Sequence, residues 1–132
     1  MDAMAVHPMG GDKYAIDIRG HQVRVDQPLD EGGDDTAPTP TELFVASLGL
    51  CVAFYAGRFL DRHGVDRTGL AVDVASRMAE DRPARVGQIV VTVTPPHAMP
   101  SERLPAFLAV AKGCTVHHSL AQPPAVDISL SA

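Results

Sequence analysis

Cysteine is scarce in this chain, with two among 132 residues, Cys51 and Cys114. So few thiols exclude the bridge-dense scaffold of a small secreted domain. An excess of basic charge is also missing. Eleven lysines and arginines face sixteen aspartates and glutamates, a net of -5. That balance favours solubility and removes the footprint of a nucleic-acid surface, so no nucleic-acid partner is expected. Long apolar runs are absent as well. The uncharged apolar stretch Leu43 to Gly57 falls short of the about 20 residues of a membrane span. It contains Ser47, Gly49 and Gly57 and reads as a deeply buried helix, with no membrane partner expected. Met1 to Gly10 has neither a basic nor an apolar segment of the secretory kind. A reducing, cytoplasmic setting follows as the expectation, and there a disulfide is more often catalytic or transient than structural.

What is present reads as one domain, 1–132, with no repeat and no linker. Tyr14, Ile16 and Ile18 alternate with more polar neighbours, and Val23 and Val25 do so after Gly20. This predicts a hairpin turning near Arg19-Gly20-His21, with Met4 to Met9 as a candidate edge strand. Pro28 to Thr39 is a loop carrying Gly32-Gly33. Thr39-Pro40-Thr41-Glu42 has the form of a capping box, and the helix it opens runs to about His63, where Gly64 stops it. Leu70, Val72 and Val74, then Ile89, Val91 and Val93, predict a second hairpin across Glu80 to Pro83. A second helix is expected over Ser101 to Lys112, with Pro105 in its first turn. A short turn over Thr115 to Leu120 and a last strand with Val126, Ile128 and Leu130 complete an α+β arrangement. A helix apolar on most sides must be covered on most sides, which so small a chain can hardly do alone. A homodimer is therefore expected.

The cysteines admit more than one reading. Cys51 lies deep inside the first helix, where a thiol packs like a small hydrophobe. It is far from the helix start, so activation would require a nearby cation. Cys114 follows Gly113 at the end of the second helix. Cys114 and His117 form a C-x-x-H with His118 next to it, but a metal site would need two more ligands, such as Cys51 with His21 or His63. No metal and no cofactor are expected.

Pro40-Thr41-Glu42-Leu43, followed by Ala46-Ser47-Leu48-Gly49-Leu50-Cys51, resembles the first signature of the OsmC/Ohr family. Ala111 to Leu120, with Cys114, Val116 and His117, resembles the second. His21 to Pro28 followed by Gly32-Gly33 resembles the start of the OsmC-like branch. The resemblance implies antiparallel sheets wrapped around buried central helices in an intertwined homodimer. It implies a peroxiredoxin-like thiol peroxidase that reduces organic hydroperoxides, and hydrogen peroxide less well, in oxidative-stress defence. By that analogy Cys51 is the peroxidatic thiolate, Cys114 resolves its sulfenic acid as a disulfide, and an external dithiol regenerates the protein. Glu42 is the candidate activating carboxylate. It lies nine residues before Cys51, whereas the family's hydroperoxide branch has its glutamate ten before, the place of Thr41. Nine residues rise about 13.5 Å along a helix, so Glu42 reaches Cys51 of its own chain only if the helix breaks. A capping role alone is the other reading. The branch's early glycine-arginine motif is replaced by Gly10-Gly11-Asp12, leaving Arg19 and Arg24 as strand candidates for an activating cation. The alternative function is a small-molecule-binding or redox-sensing module of the same fold.

Overall fold

The computed structural model describes residues 2–131. The chain forms two compact units, 1–44 and 45–132, with the division inside a helix. The first unit holds a three-stranded antiparallel sheet in the order β1 (Ala5–Pro8), β2 (Tyr14–Ile18), β3 (His21–Val25). The candidate edge strand therefore forms, pairing Val6 with Ile16. The β2–β3 turn places both Arg19 and Gly20 at positive φ, 50° and 80°, which is the backbone a two-residue hairpin loop requires. The turn falls at Arg19-Gly20 as expected, and Arg19 is therefore a turn residue and not a strand arginine, a correction to its place among the strand candidates.

The loop after β3 contains a single 3-10 turn, Leu29–Glu31. It closes around Asp26, which is 1 % exposed. The carboxylate accepts from the Gln27 amide (2.8 Å), the Thr36 amide (3.0 Å) and the Thr36 hydroxyl (2.7 Å). Those donors hold its pKa down to about 2, with the Thr36 hydroxyl as the largest cause. The loop ends in the expected capping box. The Thr39 amide donates to Glu42 Oε1 (2.8 Å) and the Glu42 amide donates to Thr39 Oγ1 (3.0 Å), satisfying amides that the first helical turn leaves without partners.

That box opens α1 (Pro40–His63), which is stopped by Gly64 at φ 63°. The 24-residue helix is long and apolar enough to cross a bilayer, at a mean hydropathy of 1.8. Within the second unit its buried residues instead face the protein's own core. Leu48, Val52, Ala56, Phe59 and Leu60 pack with Phe107, Ala111 and Cys114, and Val72, Ile89, Val91 and Val93 lie against them. Gly49 allows the helix to approach the sheet closely, since a Cβ there would sit 2.2 Å from a Val74 methyl. The sheet is the hairpin β4 (Ala71–Met78) and β5 (Val86–Thr94), in the register Val72 to Val93 and Val74 to Val91.

A 3-10 turn over Ser101–Arg103 leads into α2 (Leu104–Lys112), so the expected second helix becomes α-helical one turn late, with Pro105 in its first turn. Two expectations near the C-terminus are corrected. Thr115 to Leu120 is not a turn but most of a helix, α3 (Thr115–Ala121). The stretch with Val126, Ile128 and Leu130 is not a strand; those side chains are 76, 91 and 98 % exposed. Alternation makes a segment able to pair but does not name the strand it pairs with, and this segment pairs with none of the described strands.

Candidate thiol site

Cys51 sits midway along α1, half-buried, with its neighbours Leu48 and Val52 in the core. Cys114 is 0 % exposed. It occupies the N-cap of α3 with extended backbone (φ -75°, ψ 153°), and its Sγ accepts from the His117 amide at 3.3 Å. A sulfur thus takes the place usually held by a serine, threonine or aspartate oxygen. Cys51 and Cys114, 63 positions apart in sequence, come together here: Cys51 packs against the core cluster that holds Cys114, the Cys51 thiol is near enough to raise the Cys114 pKa, and both thiols are free.

The electrostatics of Cys114 are a contest that burial wins. Removal from water pushes its pKa above the ordinary 9.0, the His117 amide pulls it back, the Cys51 thiol raises it again, and the Val116 amide lowers it. No cation is among the groups acting on Cys114. It therefore stays a neutral thiol at physiological pH.

Two further contacts frame the pair. The Tyr55 hydroxyl lies 2.8 Å from Thr115 Oγ1. His117 Nδ1 lies 2.6 Å from the Lys112 carbonyl; since a carbonyl only accepts, this nitrogen carries the proton and the ring ties the start of α3 to the end of α2. Next to the site is an apolar cleft of about 210 Å³, walled by Leu48, Val52, Val91 and Leu108 with Lys112 and His117 at its polar end.

The other candidates fall elsewhere. Glu42 is exposed and engaged in the capping box. The helix does not break between it and Cys51, so the condition for a contact within one chain is not met. Arg24 is exposed and donates to Gln22 Oε1. Among the described residues no three histidine, cysteine, aspartate or glutamate side chains converge as metal ligands would. The Tyr55 to Thr115 bond and the Asp26 collar were missed by the sequence reading. A tyrosine one turn after a cysteine on the same helix was the available signal for the first.

The OsmC-like protein family matches the chain over 32–129. The chain belongs to that family. Solved structures agree in fold. An osmotic-stress-induced, detoxification-response protein of Psychrobacter arcticus superposes with a TM-score of 0.80 at 25 % identity, covering 90 % of this chain and 88 % of that one. The organic hydroperoxide resistance protein OsmC of Legionella pneumophila gives 0.66 at 14 % identity, covering 89 and 87 %. An OsmC-like hydroperoxide resistance protein of Jannaschia gives 0.60 at 23 %, covering 96 and 89 %. No curated protein matches the chain. The OsmC/Ohr resemblance and the α+β fold read from the sequence are thereby borne out.

Proposed function

We propose that this OsmC-like protein is a thiol-dependent peroxidase for organic hydroperoxides, working in a reducing, cytoplasmic compartment. The Cys51 thiolate attacks the outer peroxide oxygen, the O–O bond breaks, an alcohol leaves and Cys51 becomes a sulfenic acid. The Cys114 thiol then attacks that sulfur, water leaves and a Cys51–Cys114 disulfide remains. An external dithiol returns the pair to thiols by exchange. The observation carrying this reading is that two free thiols 63 positions apart lie in one core cluster, near enough for Cys51 to act on the acidity of Cys114, in a chain of this family. The apolar cleft beside them suits the alkyl part of such a substrate.

The working form in this proposal is a homodimer. On α1, Leu50 and Phe54 are 71 and 56 % exposed, and with Val126, Ile128 and Leu130 they form apolar surface that a second copy would cover. A stable folded monomer at micromolar concentration, seen by sedimentation, would overturn this part. Glu42 enters the proposal through its helix cap, since the helical rise keeps it from touching Cys51 of its own chain.

The test compares Cys51→Ser with Cys114→Ser at matched folded fraction, by peroxide loss per subunit and mass spectrometry of the product. The first variant should consume no hydroperoxide, because the nucleophile is gone. The second should turn over once and then accumulate over-oxidised Cys51. Equal consumption by wild type and Cys51→Ser would sink the peroxidase reading. A binding or redox-sensing module would then come forward, favoured by the same cleft.

A further inference from the structure

Tyr55 lies four residues after Cys51, which puts both side chains on one face of α1. Thr115 directly follows Cys114. The Tyr55 hydroxyl and Thr115 Oγ1 are 2.8 Å apart. This bond therefore joins the same two stretches of chain that carry the two cysteines, beside the place where Cys51 packs against the cluster holding Cys114. The other ties at Cys114 run elsewhere: its Sγ is bonded within α3 by the His117 amide, and the His117 ring reaches back to α2. Neither is a polar tie to α1, against which Cys114 otherwise rests by apolar packing alone. Gly113, just before Cys114, separates α2 from α3 with φ -82° and ψ 26°.

We infer that Tyr55 is a positioning residue for the thiol pair, its hydroxyl holding Thr115, and with it Cys114, against Cys51. The inference rests on the reading of the pair as a redox couple. The physical effect is on effective concentration. A disulfide forms more readily when the second thiol is already confined next to the first, because the ordering has been supplied before the bond forms. Without the hydroxyl bond the reduced state would sample arrangements in which Cys114 has turned away, and closing the disulfide would have to recover that freedom.

The experiment equilibrates the full-length protein with glutathione and glutathione disulfide, two protein thiols and one glutathione disulfide giving one intramolecular disulfide and two glutathiones. Tyr55→Phe should lower the equilibrium constant by about two- to tenfold, the range for one net hydrogen bond. Thr115→Val should do the same, the double variant should add little more, and Thr115→Ser should retain the wild-type constant. A merely structural contact would lower the thermal stability of the reduced protein and leave this constant unmoved. Wild-type constants in both Tyr55→Phe and Thr115→Val would overturn the inference while leaving the redox reading intact. A wild type that forms no intramolecular disulfide at any glutathione ratio would overturn the redox reading, and the inference with it.

Discussion

Asp26 in the N-terminal unit and Cys114 in the C-terminal unit are both acids shut away from water, 1 and 0 % exposed, and both accept backbone amides. Their acidities nevertheless move in opposite directions. The Thr36 hydroxyl, the largest cause, and the Thr36 and Gln27 amides bring the Asp26 carboxyl down to about 2. Two amides act on Cys114, and burial together with the neighbouring Cys51 thiol outweighs them. Backbone donors alone do not make a buried acid ionise; their number and strength must exceed the desolvation. Each outcome suits its place. The charged Asp26 organises a loop of polar residues, and the neutral Cys114 can sit in an apolar core without an unpaired charge.

The largest test of the comparison is to force the Asp26 collar open. A Cβ on Gly33 would lie 2.1 Å from the Gln27 carbonyl oxygen and 2.8 Å from Asp26 Oδ1. The first of these is backbone and can yield only if the loop moves. Gly33→Ala should cost about 3 kcal/mol, the upper end of ordinary overpacking, read as a lower denaturant midpoint. An unchanged midpoint would mean that the collar is loose and that Asp26 is held by fewer donors than drawn.

Acid should have a gentler effect at the same place. The folded pKa of Asp26, about 2, is below its ordinary 3.8. The carboxylate therefore stabilises the fold above about pH 4, and this contribution is lost as pH falls towards 2. Asp26→Asn should be less stable than wild type at neutral pH, and the difference should shrink through that acid window. Denaturant midpoints of the two proteins between pH 7 and pH 2 check this; a gap that stays constant would show that the charge of Asp26 is not what holds the loop.

The same contrast explains what the sequence disclosed. The capping box, both hairpins and the buried helix were legible because each is encoded locally, by Thr39 and Glu42 three apart or by alternating valines. The meeting of Cys51 with Cys114 was not, since nothing in the spacing of two residues 63 apart states a contact; it was implied only by resemblance to a family. The helix α3 escaped because its cap is a cysteine and its body, Thr-Val-His-His-Ser, has little helix preference. Asp26 escaped because an aspartate after a strand ordinarily faces water, and its partner Thr36 is ten residues away. The Val126, Ile128 and Leu130 alternation misled for the opposite reason. It is a genuine strand pattern, but a pattern specifies a face and not the neighbour that must complete the ladder.

The smallest expected effect lies at Cys114 itself and separates the two forces that raise its pKa. Burial is the larger and the Cys51 thiol the smaller. Replacing Cys51 with alanine removes only the second, so Cys114 should titrate at a lower pH than in wild type. Thiolate ultraviolet absorbance in Cys51→Ala, with Cys114 as the single remaining thiol, reads the midpoint directly. The linked stability has the sign opposite to that of Asp26. Because the folded state keeps the proton to higher pH than the unfolded chain, the contribution is complete below the ordinary thiol pKa and is lost as pH rises through 9 and beyond. Cys114→Ala should therefore flatten the alkaline decline in stability. A Cys114 midpoint below 9.0 in Cys51→Ala would mean that the His117 and Val116 amides outweigh burial once the neighbouring thiol is gone. Cys114 would then behave as Asp26 does, and it would be fitted to attack a peroxide rather than to wait for a sulfenic acid.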